Sequence, residues 1–216
     1  MRPARLFAAA LLSSTVLALS PATAPADTPE TWNFDVLLDG SPIGSQSFRV
    51  ERDGDTSRVT IEASFDVKFL FVTAYTYRHR NEEEWRGDCL AKMDSTTDDN
   101  GTKFRVIGSE TPDGFVVDDG KGRKTLPACV DSFAYWDLAE LRAPRLLNSQ
   151  DGQYEPVRLE DKGEEKIAYR GTDVPAKRFA LVGDKLHIDL WYSTSDEWLA
   201  LESTTASGKR LKYVRR

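Results

Sequence analysis

Residues 58–67 read Arg58-Val59-Thr60-Ile61-Glu62-Ala63-Ser64-Phe65-Asp66-Val67. Val59, Ile61, Ala63, Phe65 and Val67 alternate strictly with charged or hydroxylated residues. A period of two over this length is the pattern of a β-strand with one buried and one wet face. The pattern extends outward on both sides. Upstream, Asp53-Gly54 marks a turn, Phe48 and Val50 end an earlier strand, and Asp39-Gly40 follows the alternating run Trp32, Phe34, Val36, Leu38. Downstream, Phe71, Thr73, Tyr75, Tyr77 and His79 share one face of a strand that runs on toward Trp85. Further turn pairs fall at Asn100-Gly101, Asp113-Gly114, Asp119-Gly120, Asp151-Gly152, Gly183-Asp184 and Ser207-Gly208. Between them lie apolar-alternating runs at 90–96, 102–107, 115–117, 157–160, 165–169, 176–181, 186–192, 197–204 and 210–214. The expected fold is all-β, a single antiparallel meander of about a dozen strands. A twisted sheet of that many strands does not lie flat, so it curves strongly or closes into a barrel.

One stretch breaks the rhythm. Phe133, Trp136 and Leu141 sit at rough helical spacing before Pro144, which predicts a short helical segment near 131–142. Aromatic residues there either plug the core or cover a pocket.

The 216 residues carry 40% hydrophobic and 30% charged side chains, with a formal charge of −6. A mean hydropathy of −0.48 excludes a multi-span helical membrane protein, and the acidic balance excludes a general nucleic-acid binder. Arg2 and Arg5 precede an apolar run from Leu6 to Leu19, and Ala24-Pro25-Ala26 offers small residues for cleavage. Residues 1–26 therefore read as a secretory signal peptide. The apolar run is shorter than the roughly 20 residues that span a bilayer. Residues 27–216 read as a single β-rich domain, without stable membrane insertion. The expected compartment is the periplasm or the extracellular space.

Export changes the meaning of the two cysteines. In an oxidising compartment Cys89 and Cys129 are expected to pair. The alternative, a redox or nucleophilic thiol, lacks a Cys-x-x-Cys motif.

Three groups of residues are candidates for ligand binding. In the first, Tyr75, Tyr77, His79, Asn81 and Glu83 form one row of a strand. The row is either a solvated outer face or, if it points inward, a polar and aromatic lining for a ligand. In the second, His187, Asp189 and Trp191 share the face of another strand opposite Leu186, Ile188 and Leu190, where ordinary strand alternation accounts for them equally. In the third are Phe133, Tyr135 and Trp136 of the break region with Asn148, the last suited to tying down its loop through side-chain-to-backbone bonds. No Gly-x-Ser-x-Gly elbow, P-loop, dinucleotide fingerprint or His-Glu-x-x-His motif occurs. With two histidines, neither a metal site nor a cofactor is expected.

Several short motifs follow one another along the chain: Trp32-x-Phe34, Leu38-Asp39-Gly40, Ile43-Gly44, Tyr77-x-His79, Glu83-x-Trp85, Ser95-Thr96 with Asn100-Gly101, Tyr135-Trp136, Asn148-x-Gln150-x-Gly152, Asp189-Leu190-Trp191-Tyr192 and Trp198. In this the chain resembles a family of exported bacterial proteins known as a domain of unknown function. The resemblance implies a periplasmic, mostly antiparallel β-fold, comparable with the LolA-like half barrel, and brings no catalytic residues. The expected role is non-enzymatic: binding an apolar or amphipathic ligand such as a lipid, or an envelope protein. The alternative is a cell-envelope hydrolase or lyase using His79 with Glu83 or His187 with Asp189.

Overall fold

A computed structural model describes residues 28–69 and 72–216. The signal-peptide segment and Phe71 lie outside the described residues. The chain first runs as a meander of eight strands: β1 (Glu30–Leu38), β2 (Ser41–Asp53), β3 (Thr56–Phe69), β4 (Val72–Arg86), β5 (Cys89–Asp99), β6 (Thr102–Thr111), β7 (Gly114–Asp118) and β8 (Arg123–Leu126). A second run comprises β9 (Asp131–Ser132), β10 (Arg145–Leu147), β11 (Tyr154–Tyr169), β12 (Thr172–Gly183), β13 (His187–Tyr192), β14 (Trp198–Thr204) and β15 (Arg210–Arg215). β1 pairs with β15, so both runs join into one 15-stranded sheet whose edges are β8 and β9. Every pairing is antiparallel except that of β9 with β10.

The sheet curls until one edge returns over its middle. Leu90 N–H donates to the Val130 carbonyl at 2.9 Å, next to a Cys89–Cys129 disulfide with Cα atoms 5.0 Å apart. The expected all-β curved meander is therefore the observed one, with more strands than a dozen. The added strands are the short β8, β9 and β10, whereas two of the expected runs merge. The runs at 157–160 and 165–169 are a single strand, β11, with a register shift between Asp161 and Glu164. Gly163, at φ +85°, absorbs the irregularity, so the chain bulges instead of turning back.

The segment after β9 is less helical than its spacing predicts. Among the described residues the only helix is one 3-10 turn at Glu140–Arg142. Before it, Tyr135 N–H donates to Phe133 O and Asp137 N–H to Ala134 O, too tight for an α-helix. The Tyr135 carbonyl instead accepts from the Tyr192 hydroxyl at 2.8 Å. Tertiary partners took the backbone groups that a helix would have used.

Alternation puts one row of each strand inside. Toward one end of the barrel those rows pack solid. Trp32, Val50, Val59 and Trp85 are buried there, and Trp136 wedges in, its ring 6.2 Å from Trp85 and 6.1 Å from Phe48. Trp198 forms the middle layer, 4.4 Å from Phe34 and 4.9 Å from Phe48. Tilted and edge-to-face contacts of this kind add about 0.5–1.5 kcal/mol each beyond the area they bury.

Candidate functional site

Above the Trp198 layer the inner rows no longer meet. They enclose a half-open cavity of about 700 Å³. Its floor is Phe48, Tyr135 and Trp198, and Ile61, Phe65, Ile188, Leu201 and Leu211 make apolar walls. Its mouth lies among the tips of the β1–β2 and β14–β15 hairpins, where Ile43 and Lys209 sit.

A polar strip crosses one wall. β4 contributes Tyr75, Tyr77 and His79, and the loop after β10 contributes Asn148, Ser149 and Gln150. The first candidate row is therefore an inner face, and the outer-face reading of it does not hold. Tyr77 stacks on Phe65 at 5.2 Å and donates its hydroxyl to Gln150 Oε1 at 3.0 Å. Tyr75 donates to Asp99 at 2.7 Å. Burial holds both phenols well above their ordinary range, so they remain protonated donors.

His79 is held from both ring nitrogens. Nδ1 lies 2.9 Å from Thr97 Oγ1, and Nε2 lies 3.4 Å from Ser149 Oγ. Thr97 donates its own proton to the Gln150 carbonyl at 3.5 Å, so it accepts from Nδ1–H. The network thereby assigns the tautomer, leaving Nε2 as the acceptor toward Ser149. Burial lowers the imidazole to about 4, so at neutral pH the ring is uncharged.

Glu83 belongs to a different place. It lies in the packed end of the barrel, where Oε1 accepts from Asn81 and Oε2 from Trp85 and Ser132. His79 and Glu83 share no hydrogen bond and no cavity wall. Asn81, on the same row, separates them.

The second candidate group points outward. His187 is exposed, 3.6 Å from Asp189. Asp189 accepts two bonds from Arg178, whose guanidinium also lies 5.6 Å from the Trp191 ring. Trp191 donates to Glu165. None of the three lines the cavity, and their contacts are with polar residues along β13 and on β12 and β11 at the sheet surface.

Of the third group, Trp136 is core filling, whereas Phe133 and Tyr135 from the same segment reach the cavity. Asn148 accepts from Gln150 N–H at 2.9 Å and donates to Glu155 at 2.8 Å, holding the loop against the sheet. Ser149, Gln150, Phe48 and Trp198 are lining residues that pattern reasoning did not single out. Asp151-Gly152 marked a turn next to two of them, and nothing local separates Phe48 or Trp198 from ordinary core. Among the described residues no three His, Cys, Asp or Glu side chains converge as a metal site, and no helix is long and apolar enough to cross a membrane.

A curled antiparallel sheet, packed at one end and hollow at the other, defines a barrel-like β-protein with an internal cavity. The chain belongs to the family described as Domain of unknown function (DUF6134), whose model matches residues 34–216. Its fold is also similar to that of the β-barrel-like protein of domain of unknown function DUF1849 from Brucella abortus. The two share a TM-score of 0.58 and 11% sequence identity, over 87% of this chain and 95% of that one. No curated protein matches the chain.

Proposed function

We propose that this is an exported, non-enzymatic binding protein that holds an apolar or amphipathic ligand, such as a lipid, inside its barrel. The observation that carries this reading is the half-open cavity of about 700 Å³ with apolar walls and a polar strip. Its size lies within the roughly 300–1,000 Å³ typical of small-molecule sites. Burying a hydrocarbon chain there is favourable by about 0.8 kcal/mol per methylene. The phenol oxygens keep lone pairs free to accept a hydrogen bond, and the neutral imidazole places no charge against the chain. The leader-like residues 1–26 and the Cys89–Cys129 disulfide support the periplasm as the working compartment.

Ala63 gives a direct test. It lies on the cavity wall between Gln46 on β2 and His79 on β4. Ala63→Trp fills the space while leaving the far end of the barrel intact. Wild-type protein is expected to carry a co-purified amphiphile in native mass spectrometry, or to bind a fluorescent fatty acyl probe. The variant is expected to lose at least about tenfold in probe affinity while unfolding cooperatively. A clean ligand-free mass, together with no thermal shift across a panel of lipids, would reject this reading and turn attention to an envelope protein as partner.

A further inference from the structure

The mouth of the cavity opens into a vestibule of about 520 Å³, and the two share Leu38, Ile43, Val67 and Lys209. Lys68, at the end of β3, lines the vestibule with Lys209. Both lysines are exposed, and among the described residues neither ammonium has an ion-pair or hydrogen-bond partner. Of the two carboxylates of the vestibule, one is paired with a cation and the other is held only by a backbone N–H, so the two lysines leave the vestibule an excess of positive charge. Asp66 is paired with Arg78 at 2.8 Å, and Asp39 accepts the backbone N–H of Arg210 at 2.9 Å. Next to Lys209, Ser203, Thr205 and Ser207 add hydroxyls to the rim of the main cavity.

We infer that the vestibule selects an anionic head group, so that the ligand is a single-chain amphiphile with a carboxylate or comparable acid at its end. This rests on the cavity reading above and sharpens it. The order along the site is two free ammonium groups, then hydroxyls, then an apolar barrel. That order matches an acyl chain entering tail first with its acid left at the mouth. A lysine lays its methylene stem along apolar surface and keeps its charge in water, which places the ammonium at the boundary where such an acid sits. The chain as a whole is acidic, with a formal charge of −6. The excess of positive charge at the mouth therefore runs against the overall field and acts locally.

The test displaces a dansyl-labelled fatty acid from the purified protein with three ligands of one chain length: dodecanoate, dodecan-1-ol and dodecyltrimethylammonium. At low salt the wild type is expected to prefer dodecanoate over the alcohol by about five- to tenfold, the range two exposed ion pairs supply. Raising the salt should shrink that preference. In Lys68→Met/Lys209→Met it should fall within about twofold while alcohol binding stays unchanged. Both positions are exposed, and a thermal melt confirms that the double variant is folded. If the wild type binds acid and alcohol equally, the head-group inference fails and the cavity reading stands. Tightest binding of the ammonium ligand would assign the mouth to Asp39 and overturn the inference. If no ligand displaces the probe in the wild type, both fall.

Discussion

The Ser132 hydroxyl donates to Oε2 of Glu83 at 3.2 Å, across 49 residues of sequence, in the buried end of the barrel. It joins the edge strand β9 to the inner face of β4, just before the segment that plugs the core. Asn81 and Trp85 donate to the same carboxyl group at 2.8 Å each. Two elements of the closed end, β4 and β9, thus meet on one side chain.

Removing that acceptor should be costly. Glu83→Ala leaves three donors buried without a partner, each worth about 1–3 kcal/mol in lost solvation. A stability loss of about 3 kcal/mol or more is expected in urea denaturation, and a loss under about 1 kcal/mol would show that water or relaxation satisfies them. Burial raises the Glu83 carboxyl above its ordinary range. A raised carboxyl stabilises the fold below its ordinary pKa, and that contribution is lost as pH rises toward the folded value. Glu83→Gln should abolish that dependence.

The disulfide acts on the same region. Cys89 and Cys129 are 40 residues apart, and closing a loop of that length restricts the unfolded chain by about 4 kcal/mol in the loop-entropy estimate. The Cys89→Ser/Cys129→Ser variant should lose about 2–4 kcal/mol and become sensitive to limited proteolysis between 129 and 147. Equal protease resistance of the two proteins would contradict the view that the bridge anchors this segment.

Acid should destabilise the fold through His79. Its folded value, about 4, lies below the ordinary 6.5. Its contribution is therefore fully present above pH 6.5 and is lost as pH falls toward 4. At about 1.4 kcal/mol per pH unit, the total is about 3 kcal/mol. Melting temperatures across this window should fall more steeply for the wild type than for His79→Gln. Parallel curves would mean that the imidazole titrates in the folded state as freely as it does in water.

Gly44 tests a backbone constraint. At φ +154°, a Cβ there would come within 1.9 Å of the Ser64 carbonyl oxygen on β3. Gly44→Ala must push β2 and β3 apart and should cost about 2 kcal/mol or more. Gly40, at φ +82° with nothing within 4 Å of such a Cβ, is the control. There alanine should cost only about 1 kcal/mol, from the left-handed backbone alone. Equal losses at the two positions would remove steric contact as the cause.

Alternation is a local property, and the strands were legible for that reason. Val59 through Val67 needs no partner to be amphipathic, and Asp39-Gly40 and Asn100-Gly101 turn the chain with their own backbone, Asp39 and Asn100 both at positive φ. The segment from Phe133 to Leu141 misled because aromatic spacing alone does not say where backbone groups bond. Tyr192 decided that from 57 residues away.

The candidate residues divided for the same reason. Period-two spacing placed Tyr75, Tyr77 and His79 on one face and His187, Asp189 and Trp191 on another. It could not say which face lay inside. Inward and outward are set by the direction in which the whole sheet curls, and that depends on pairing β1 with β15 and on laying β9 across β4 and β5. The same alternation continues from Val67 to Val59, yet Val67 borders a cavity and Val59 is packed core. The amino-acid sequence by itself determined the strands, the turns and the two cysteines, since each rests on contacts between near neighbours. Which inner rows meet and which stay apart to leave a cavity was decided by the tertiary structure, because packing sums side-chain volumes contributed by strands distant along the chain.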